Sequence, residues 1–404
     1  MNRIIVISFV VLFSIGVSFA DAQTFSAFVN RLEQTPMQGR AERVQQFFDR
    51  HSQMPLIEGD STANFIYYGA VDTVLLNGNI QHWIHPDTMK KIVCGDSSFF
   101  YASYLLPPDA RLDYQFIIRG ASRLDPRNPH ITPSGYGPHS ELRMPRFFST
   151  PYIQPVDSIP HGTLETYPWR MFIPLPLRKY ALQGRMVKVY LPPGYDSLSN
   201  LPTVYIHDGE DAINFAHVPT ILDNLVYNNK IVPVIAVFIP PVHRYEEYVG
   251  KDLNAYVSLI CNELVPAIDR LYRTSHDPND RAMMGISNGG NIALYTVLSR
   301  LDLFHNTAGQ SSTITSRLRD LTATRALEGK LTPAIKIYFD CGLFDIKMEN
   351  DPTGDNDFLK INREYSNLLS SLHVPHYFLV VHDGHEWANW RERMPWIFAY
   401  FFRR

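Results

Sequence analysis

The turn GISNGG at residues 285–290 limits how this chain can fold more than any other feature of its sequence. It lies between an apolar run at 282–284, typical of a buried strand, and a helical pattern at 291–300. A serine flanked by glycines in this position, here Ser287, is typical of a turn so sharp that the hydroxyl stands clear of the sheet near a helix N-terminus. The turn therefore predicts a buried strand followed by a helix, with a candidate nucleophile between them.

The same alternation of strands and helices extends over the C-terminal part of the chain. Such alternation predicts right-handed crossovers and a mostly parallel sheet covered by helices on both faces, which is an α/β fold. Ligands bind such sheets at the carboxyl ends of the strands, so catalytic residues are expected in the loops that follow them. The predicted strands are 186–191, 203–206, 232–239, 282–284, 335–339 and 377–381, and the predicted helices are 218–228, 253–272, 291–300 and 357–372.

The N-terminal part has a different pattern of predicted helices and strands. A chain of 404 residues is long enough for two or three domains. Apolar residues at helical spacing predict one or two short helices within 23–58, and short β-rich runs bounded by turn residues predict a small all-β sandwich at 59–122. The Pro-rich segment 123–160 is typical of a connecting strap. The α/β domain then occupies 161–404.

Residues 1–22 have the pattern of a secretory signal peptide. A short positive segment with Arg3 precedes an apolar run at 4–19, and the sequence ADA at 20–22 offers small residues for a signal peptidase. We expect cleavage before Gln23, with cleavage after Ala20 as the second choice. An uncleaved anchor is the alternative, but the run is shorter than the about 20 residues that span a bilayer. The sequence thus predicts export to the periplasm or the medium, without stable membrane insertion after cleavage.

Composition excludes several classes of partner. The net charge is −3, with 37 basic and 40 acidic residues and no long basic run, which argues against nucleic acid. The histidines lack the spacing of a zinc site, and the sequence contains no phosphate-binding loop or dinucleotide fingerprint. We therefore expect no metal and no cofactor. The three cysteines allow at most one disulfide.

Partners for Ser287 follow it in the order acid, then histidine. Asp345 comes a few residues after the strand at 335–339 and has the reach to orient an imidazole; Asp340, at the strand end, is the reserve, with loop solvation or helix capping as its more ordinary role. His385 follows a glycine after the strand at 377–381 and is the predicted general base, whereas His382 is interpreted as a surface or packing histidine.

An acyl-transfer serine also requires an oxyanion hole. One donor is expected to be the backbone N–H of Asn288, directly after the nucleophile. The second is expected from the loop after the strand at 203–206, on either Gly209 or Glu210, because Gly209 allows the main chain to approach a substrate.

These segments resemble the enterochelin-esterase-like family of α/β-hydrolases, which includes feruloyl and acetyl-xylan esterases. The resemblance implies a serine carboxyl-ester hydrolase with the triad Ser287, Asp345 and His385 and no metal. It also implies that the β-rich segment with Trp83 is the immunoglobulin-like early-set domain found ahead of such esterases, here interpreted as a structural or pocket-shaping module. The segments that carry the resemblance are VKVYLPPGY at 187–195, HDG at 207–209, RYEEY at 244–248, NELVP at 262–266, the serine turn, QSS at 310–312, and GHEW at 384–387 with WR at 390–391.

Three further residues are candidates for contact with substrate. Arg244 could anchor an anionic or phenolic group, or else form an ion pair with Glu247 that orders its loop. Trp387 could stack on an aromatic acyl group, or else share one buried helical face with Trp390. Asp211 is the last residue of the predicted oxyanion loop, HDGED at 207–211.

The sequence therefore predicts an exported serine esterase that acts on a feruloyl or acetyl polysaccharide ester or on a catecholate siderophore ester. An acyltransferase with the same triad and a non-catalytic binding protein that kept the fold are the alternatives. The expected partner is a small-molecule or polysaccharide-linked ester; the oligomeric state is left open.

Overall fold

The computed structural model of the protein describes residues 24–168, 185–347 and 357–404. The predicted signal peptide, residues 1–22, and the cleavage positions lie outside the described residues. None of the helices within the described ranges is long and apolar enough to cross a membrane.

Two helices and a β-sandwich form the N-terminal part. Helices α1 (Phe25–Gln34) and α2 (Met37–Arg50) pack their buried faces on one of the two sheets, where they meet Ile92 and Phe99. That sheet has the strand order β1-β2-β6-β5, and the second has the order β4-β3-β7-β10-β9, with β8 paired to β7. The strands are β1 (Leu56–Glu58), β2 (Thr62–Gly69), β3 (Val74–Gly78), β4 (Asp87–Thr88), β5 (Lys90–Cys94), β6 (Ser97–Leu105), β7 (Arg111–Ile118), β8 (Ala121–Arg123), β9 (Ile131–Thr132) and β10 (His139–Arg143).

The segment 123–160, predicted as a strap, contributes to this sandwich. Strand β10 pairs antiparallel with β7, and β9 pairs with β10. The prolines of the segment obscured these two strands in the sequence, because proline normally argues against a strand interior. The connection between the sandwich and the α/β domain therefore begins after Arg143.

The C-terminal domain is built on an eight-stranded sheet with the order β11-β12-β14-β13-β15-β16-β17-β18. The pairs of β11 with β12 and of β12 with β14 are antiparallel, and the other pairs are parallel. The strands are β11 (Thr163–Pro168), β12 (Met186–Leu191), β13 (Thr203–His207), β14 (Ile235–Ile239), β15 (Arg281–Ile286), β16 (Asn306–Gln310), β17 (Lys336–Phe344) and β18 (Tyr377–Gly384).

Helices cover both faces of this sheet. A large apolar cluster lies on each face, one around Ile260 and one around Ile397, as expected for a sheet buried on both sides. The helices are α3 (Gly209–Asn214), α4 (Val218–Tyr227), α5 (Arg244–Tyr248), α6 (Leu253–Leu259), α7 (Val265–Leu271), α8 (Asn288–Ser299), α9 (Ser316–Leu327), α10 (Phe358–Ser371) and α11 (Trp387–Phe402).

The helix predicted at 253–272 is divided in the structure. A π-helical turn, Ile260–Leu264, separates α6 from α7. Pro266 lies in the first turn of α7 and has no N–H to donate, so the regular ladder of hydrogen bonds is interrupted there. The three cysteines, Cys94, Cys261 and Cys341, are buried free thiols.

Candidate active site

Ser287 lies at the apex of the turn between β15 and α8. Its backbone has φ 57° and ψ −123°, a conformation that few residues other than glycine adopt. A Cβ atom on Gly285 would approach the carbonyl oxygen of Gly289 to 2.1 Å, so the turn can close only with glycine at that position. The N–H of Asn288, the first residue of α8, has no intrahelical acceptor because it opens the helix.

Asp345 is a buried carboxylate just beyond the end of β17. Its Oδ1 lies 2.7 Å from His385 Nδ1, and its Oδ2 accepts a hydrogen bond of 2.5 Å from Ser311 Oγ. The backbone N–H of Ile346 also donates to Oδ1, at 2.8 Å. Burial alone would raise the pKa of Asp345, but the charge and hydrogen bond of His385 outweigh burial and lower it. Asp345 is thus held as an anion against the imidazole.

Two aromatic rings fix the position of the His385 imidazole. The Phe358 ring lies 5.0 Å from it at 72°, and the Trp390 ring lies 4.8 Å from it at 86°, both as edge contacts. Only 13% of the His385 side chain is exposed. Trp390 Nε1 in turn donates to Ser311 Oγ at 2.9 Å, so one indole contacts the imidazole and the hydroxyl that supports its carboxylate.

Asp340, the reserve acid, lies elsewhere. It is fully buried within β17 and accepts from Arg393 Nε at 2.8 Å and Nη2 at 3.0 Å, and from the Tyr338 hydroxyl at 2.6 Å. The sequence position of Asp340 suggested loop solvation or a helix cap. Instead, Asp340 is buried and anchors Arg393 of α11. His382 lies on β18, where its Nδ1 contacts Asp109 Oδ1 of the sandwich at 2.6 Å.

A pocket of about 250 Å³ opens at the carboxyl ends of the strands. It brings together Ser287 and His385 with three of the predicted substrate contacts. Tyr136, which precedes β10, and Asp208 also line it. No sequence pattern pointed to Tyr136, and Asp208 was recognised only as part of the HDG segment and not as a pocket residue. The lining residues are Gly135, Tyr136, Asp208, Asp211, Arg244, Ile286, Ser287, His385, Glu386, Trp387 and Trp390.

Arg244 is paired differently from the predicted alternative. Its Nε and Nη2 donate to Oδ1 and Oδ2 of Asp208, each at 2.8 Å, which makes a bidentate ion pair. Even so, 40% of the Arg244 side chain is exposed at the pocket. Glu247 instead pairs with Arg185. The Asp208 carboxylate is itself buried, so its charge is compensated mainly by Arg244.

Trp387 and Trp390 share one buried helical face, as the second alternative for Trp387 predicted, and the stacking of Trp387 on an acyl group stays a prediction. Both side chains are buried on one side of α11, with ring centroids 5.6 Å apart at 85°, and both also line the pocket. Asp211 lies beside Asp208, and burial followed by the Asp208 charge raises its pKa.

The loop after β13 carries the predicted second oxyanion donor. Asp208 has φ 53°, and a Cβ on Gly209 would meet the backbone of Phe238 and Ile239 at 2.6 Å, so Gly209 packs tightly on β14. The Glu210 carboxylate pairs with Lys188 Nζ at 2.8 Å. Asp208 and Asp211 are the residues of this loop that line the pocket. The assignment to Gly209 or Glu210 stays a prediction.

The sandwich contacts the turn that carries the catalytic candidates. His82 Nδ1 lies 2.6 Å from the backbone oxygen of Asp345. A Cβ on Gly384 would meet Asn79 Nδ2 at 2.3 Å, so the residue before His385 packs directly against the sandwich. These contacts agree with the interpretation of the sandwich as a module that shapes the site.

Several known proteins are similar to this chain. A sequence-family model described as "Putative esterase" matches residues 181–401. The uncharacterized protein YjcH of Bacillus subtilis is 26% identical over 208 residues, which cover 50% of this chain and 85% of YjcH. An endo-1,4-beta-xylanase/feruloyl esterase of Xylanibacter ruminicola is 30% identical over 136 residues, which cover 30% of this chain and 19% of that protein.

Among solved structures, ferric enterobactin esterase from Salmonella typhimurium superposes with a TM-score of 0.69 at 17% identity, covering 88% of this chain and 98% of that one. At this identity the likeness shows a shared fold, which includes the sandwich because nearly the whole chain is covered. The family match extends over more than half of the sequence. The chain therefore belongs to this esterase family and is a carboxylic ester hydrolase with the α/β-hydrolase fold.

Proposed function

We propose that this esterase is an exported serine hydrolase that acts through Ser287, His385 and Asp345. The observation that carries the proposal is the contact of 2.7 Å between His385 Nδ1 and Oδ1 of the buried Asp345. The same His385 side chain lines the pocket that Ser287 lines. The export part rests on the sequence of residues 1–22.

The chemistry follows from these groups. Asp345 accepts from Nδ1–H of His385 and fixes the tautomer in which Nε2 is free to take the Ser287 proton. Ser287 Oγ then attacks the ester carbonyl, and the N–H of Asn288 with one N–H of the loop after β13 stabilises the oxyanion. His385 returns the proton to the leaving alcohol, and water cleaves the acyl-enzyme by the same steps.

The pocket lining supports the aromatic esters among the proposed substrates. Two indole rings and the Tyr136 ring offer apolar faces, and the exposed part of Arg244 offers a cation, which suits an aromatic acyl group with phenolic oxygens. Ferulate and catecholate esters both carry such a group, and the similar proteins include a feruloyl esterase and an enterobactin esterase. We propose a feruloyl or acetyl polysaccharide ester or a catecholate siderophore ester as the natural substrate.

The test is a panel of feruloyl, acetyl and catecholate esters with the wild type and with Ser287→Ala. We expect hydrolysis of at least one aromatic ester, a loss of about 10⁴-fold or more in kcat on Ser287→Ala, and covalent labelling of the wild type alone by an organophosphonate. Ser197→Ala, which removes an exposed hydroxyl outside the pocket, serves as the control.

Activity that survives Ser287→Ala would contradict the mechanism. Turnover only in the presence of an added sugar or alcohol acceptor would identify an acyltransferase instead. Absence of both turnover and labelling would favour the binding protein.

A further inference from the structure

A cluster of buried polar side chains lies where the sandwich meets the turn of His385. It consists of Asp113 on β7, His139 at the start of β10, and Glu386, the residue after His385. All three side chains are at least nine-tenths buried. One ligand atom from each lies within 4.8 Å of the others. The catalytic mechanism proposed above uses none of them.

Two atoms that face this cluster, His139 Nδ1 and Asp113 Oδ2, are buried without a hydrogen-bond partner among the described residues. The other oxygen of Asp113, Oδ1, lies 2.8 Å from Arg111 Nη1 as an ion pair. His139 Nδ1 lies 3.7 Å from Asp113 Oδ2 and 3.7 Å from Glu386 Oε1. These separations are too long for direct hydrogen bonds. Two ligand atoms that each lie about 2.1 Å from one metal ion are roughly 3–4 Å apart, so these separations do fit a shared ion.

The charges around this cluster also favour a bound cation. Arg111 has to serve two carboxylates: its Nε donates to Glu141 at 2.6 Å, and its Nη1 lies 2.8 Å from Asp113 Oδ1 as an ion pair. Within the described part of the chain, the ion pair that Glu386 makes is with His139. Two carboxylates are therefore held together in a buried site. The guanidinium that contacts Asp113, Arg111, is shared with Glu141, and the charge of Arg391 also interacts with Asp113. A bound cation stabilises two carboxylates held in this way.

We propose that Asp113, His139 and Glu386 bind one divalent transition-metal ion, with Zn²⁺ as the first candidate. One imidazole nitrogen and two carboxylate oxygens form a donor set that zinc takes in proteins. Further contacts orient the ligands: Arg111 pairs with Asp113 Oδ1, and the Trp83 ring packs against the His139 ring at a centroid distance of 4.5 Å and an angle of 34°.

The ion would tie two strands of the sandwich to the residue next to His385. Glu386 also lines the active-site pocket, which gives an ion a route to the cluster. The spacing rules applied to the sequence could not find this site, because its three ligands come from three separate elements of two domains. The role assigned to the ion is structural, since the described contacts of Ser287 and His385 do not involve it.

The test uses the untagged full-length mature chain. The wild type is incubated with Zn²⁺, dialysed, and analysed by elemental mass spectrometry; we expect roughly one Zn²⁺ per chain. His139→Gln and the nearly isosteric Asp113→Asn should each lower the retained Zn²⁺ at least tenfold. His276→Gln, which changes an exposed histidine, should retain the wild-type amount.

Two readouts keep the proposal testable if a variant folds poorly. A chelator should lower the Tm of the wild type, and Co²⁺ should give the wild type a visible absorption band that His139→Gln lacks. Retention of Zn²⁺ by the wild type no higher than that of His139→Gln, or a wild-type Tm that is insensitive to both chelator and added Zn²⁺, overturns the proposal.

Discussion

Three aspartates close together in the C-terminal sheet differ in what surrounds them, and that difference assigns their roles. Asp345 faces an imidazole and a hydroxyl, Asp340 faces the Arg393 guanidinium and a tyrosine, and Asp383 shares Arg393 with Asp340. All three are buried. The partner, and not the burial, therefore decides which carboxylate can serve a histidine.

Exchanging these acids for their amides separates the roles. We expect Asp345→Asn to lower kcat by about 10³- to 10⁴-fold with the protein still folded, because the amide favours the wrong tautomer of His385. Asp340→Asn should instead destabilise the protein by about 3 kcal/mol, since it removes one carboxylate from the buried Arg393. Steady-state kinetics and urea unfolding measure the two effects. The reverse pattern, activity lost with Asp340→Asn and kept with Asp345→Asn, would contradict the assignment.

Asp383 gives a pH-dependent prediction. Burial raises its pKa to about 6, although Arg393 acts in the opposite direction. A carboxylate with a higher pKa in the folded than in the unfolded state is favoured when protonated, so its ionisation destabilises the fold as the pH rises from about 4 to about 6. Relative to wild type, Asp383→Asn should gain about 1–3 kcal/mol in unfolding free energy between pH 4 and pH 7. Denaturation curves of both proteins at the two pH values measure the difference in unfolding free energy between variant and wild type. A difference that is the same at pH 4 and pH 7 would refute the prediction.

At the scale of elements, two strand ends build the site. Strand β15 ends in the turn that strains Ser287, and β17 continues beyond its predicted end through a register shift between Gly342 and Phe344. The sequence indicated a strand that stops before Asp340, whereas the structure extends it to Phe344, directly before Asp345. A Cβ on Gly342 would meet the backbone oxygen of Asp383 at 2.3 Å, so glycine allows β18 to approach there.

The serine turn should not tolerate a side chain at Gly285. In Gly285→Ala the new Cβ meets the Gly289 backbone, which cannot move without displacing the start of α8, so we expect a loss of about 3 kcal/mol in stability together with most of the activity. The matched control is Gly39→Ala in α2, where the nearest atom is a side-chain methyl of Thr35 at 3.2 Å. That variant should stay within about 1 kcal/mol of wild type. Thermal unfolding and ester turnover measure both; equal behaviour of the two variants would contradict the steric explanation.

At the scale of the whole molecule, the sandwich and the esterase domain share a buried polar interface. Arg111 of β7 donates to Asn389 of α11 at 2.8 Å, and Glu392 of the same helix accepts from Ser149 and Thr150 of the connecting segment. Such contacts are costly to break singly because each leaves a buried polar group unpaired. We therefore expect the two domains to unfold together.

Arg111→Met tests this coupling. Removal of the guanidinium leaves Glu141 and Asp113 without their shared buried cation, so we expect a loss of about 3–5 kcal/mol. Calorimetry should show one transition for the wild type and, for this variant, a lower transition or two separate ones. Arg123→Met, at an exposed position of β8, is the control. Two transitions already present in the wild type would show that the domains are independent.

The sequence by itself determined the α/β class, the serine turn, and the order of Ser287, Asp345 and His385, because periodicity and glycine requirements are local properties of the chain. Tertiary structure decided what local patterns do not contain: that Asp208 and not Glu247 pairs with Arg244, that Ser311 supports Asp345, and that Tyr136 reaches the pocket. It also brought Asp113 and His139 of the sandwich against Glu386. Each of these contacts joins elements that are distant in sequence. The contacts of Arg244 and of Ser311 form because neighbouring strands of the sheet bring their partners together, whereas Tyr136, Asp113 and His139 reach the esterase domain through the packing of the sandwich against it.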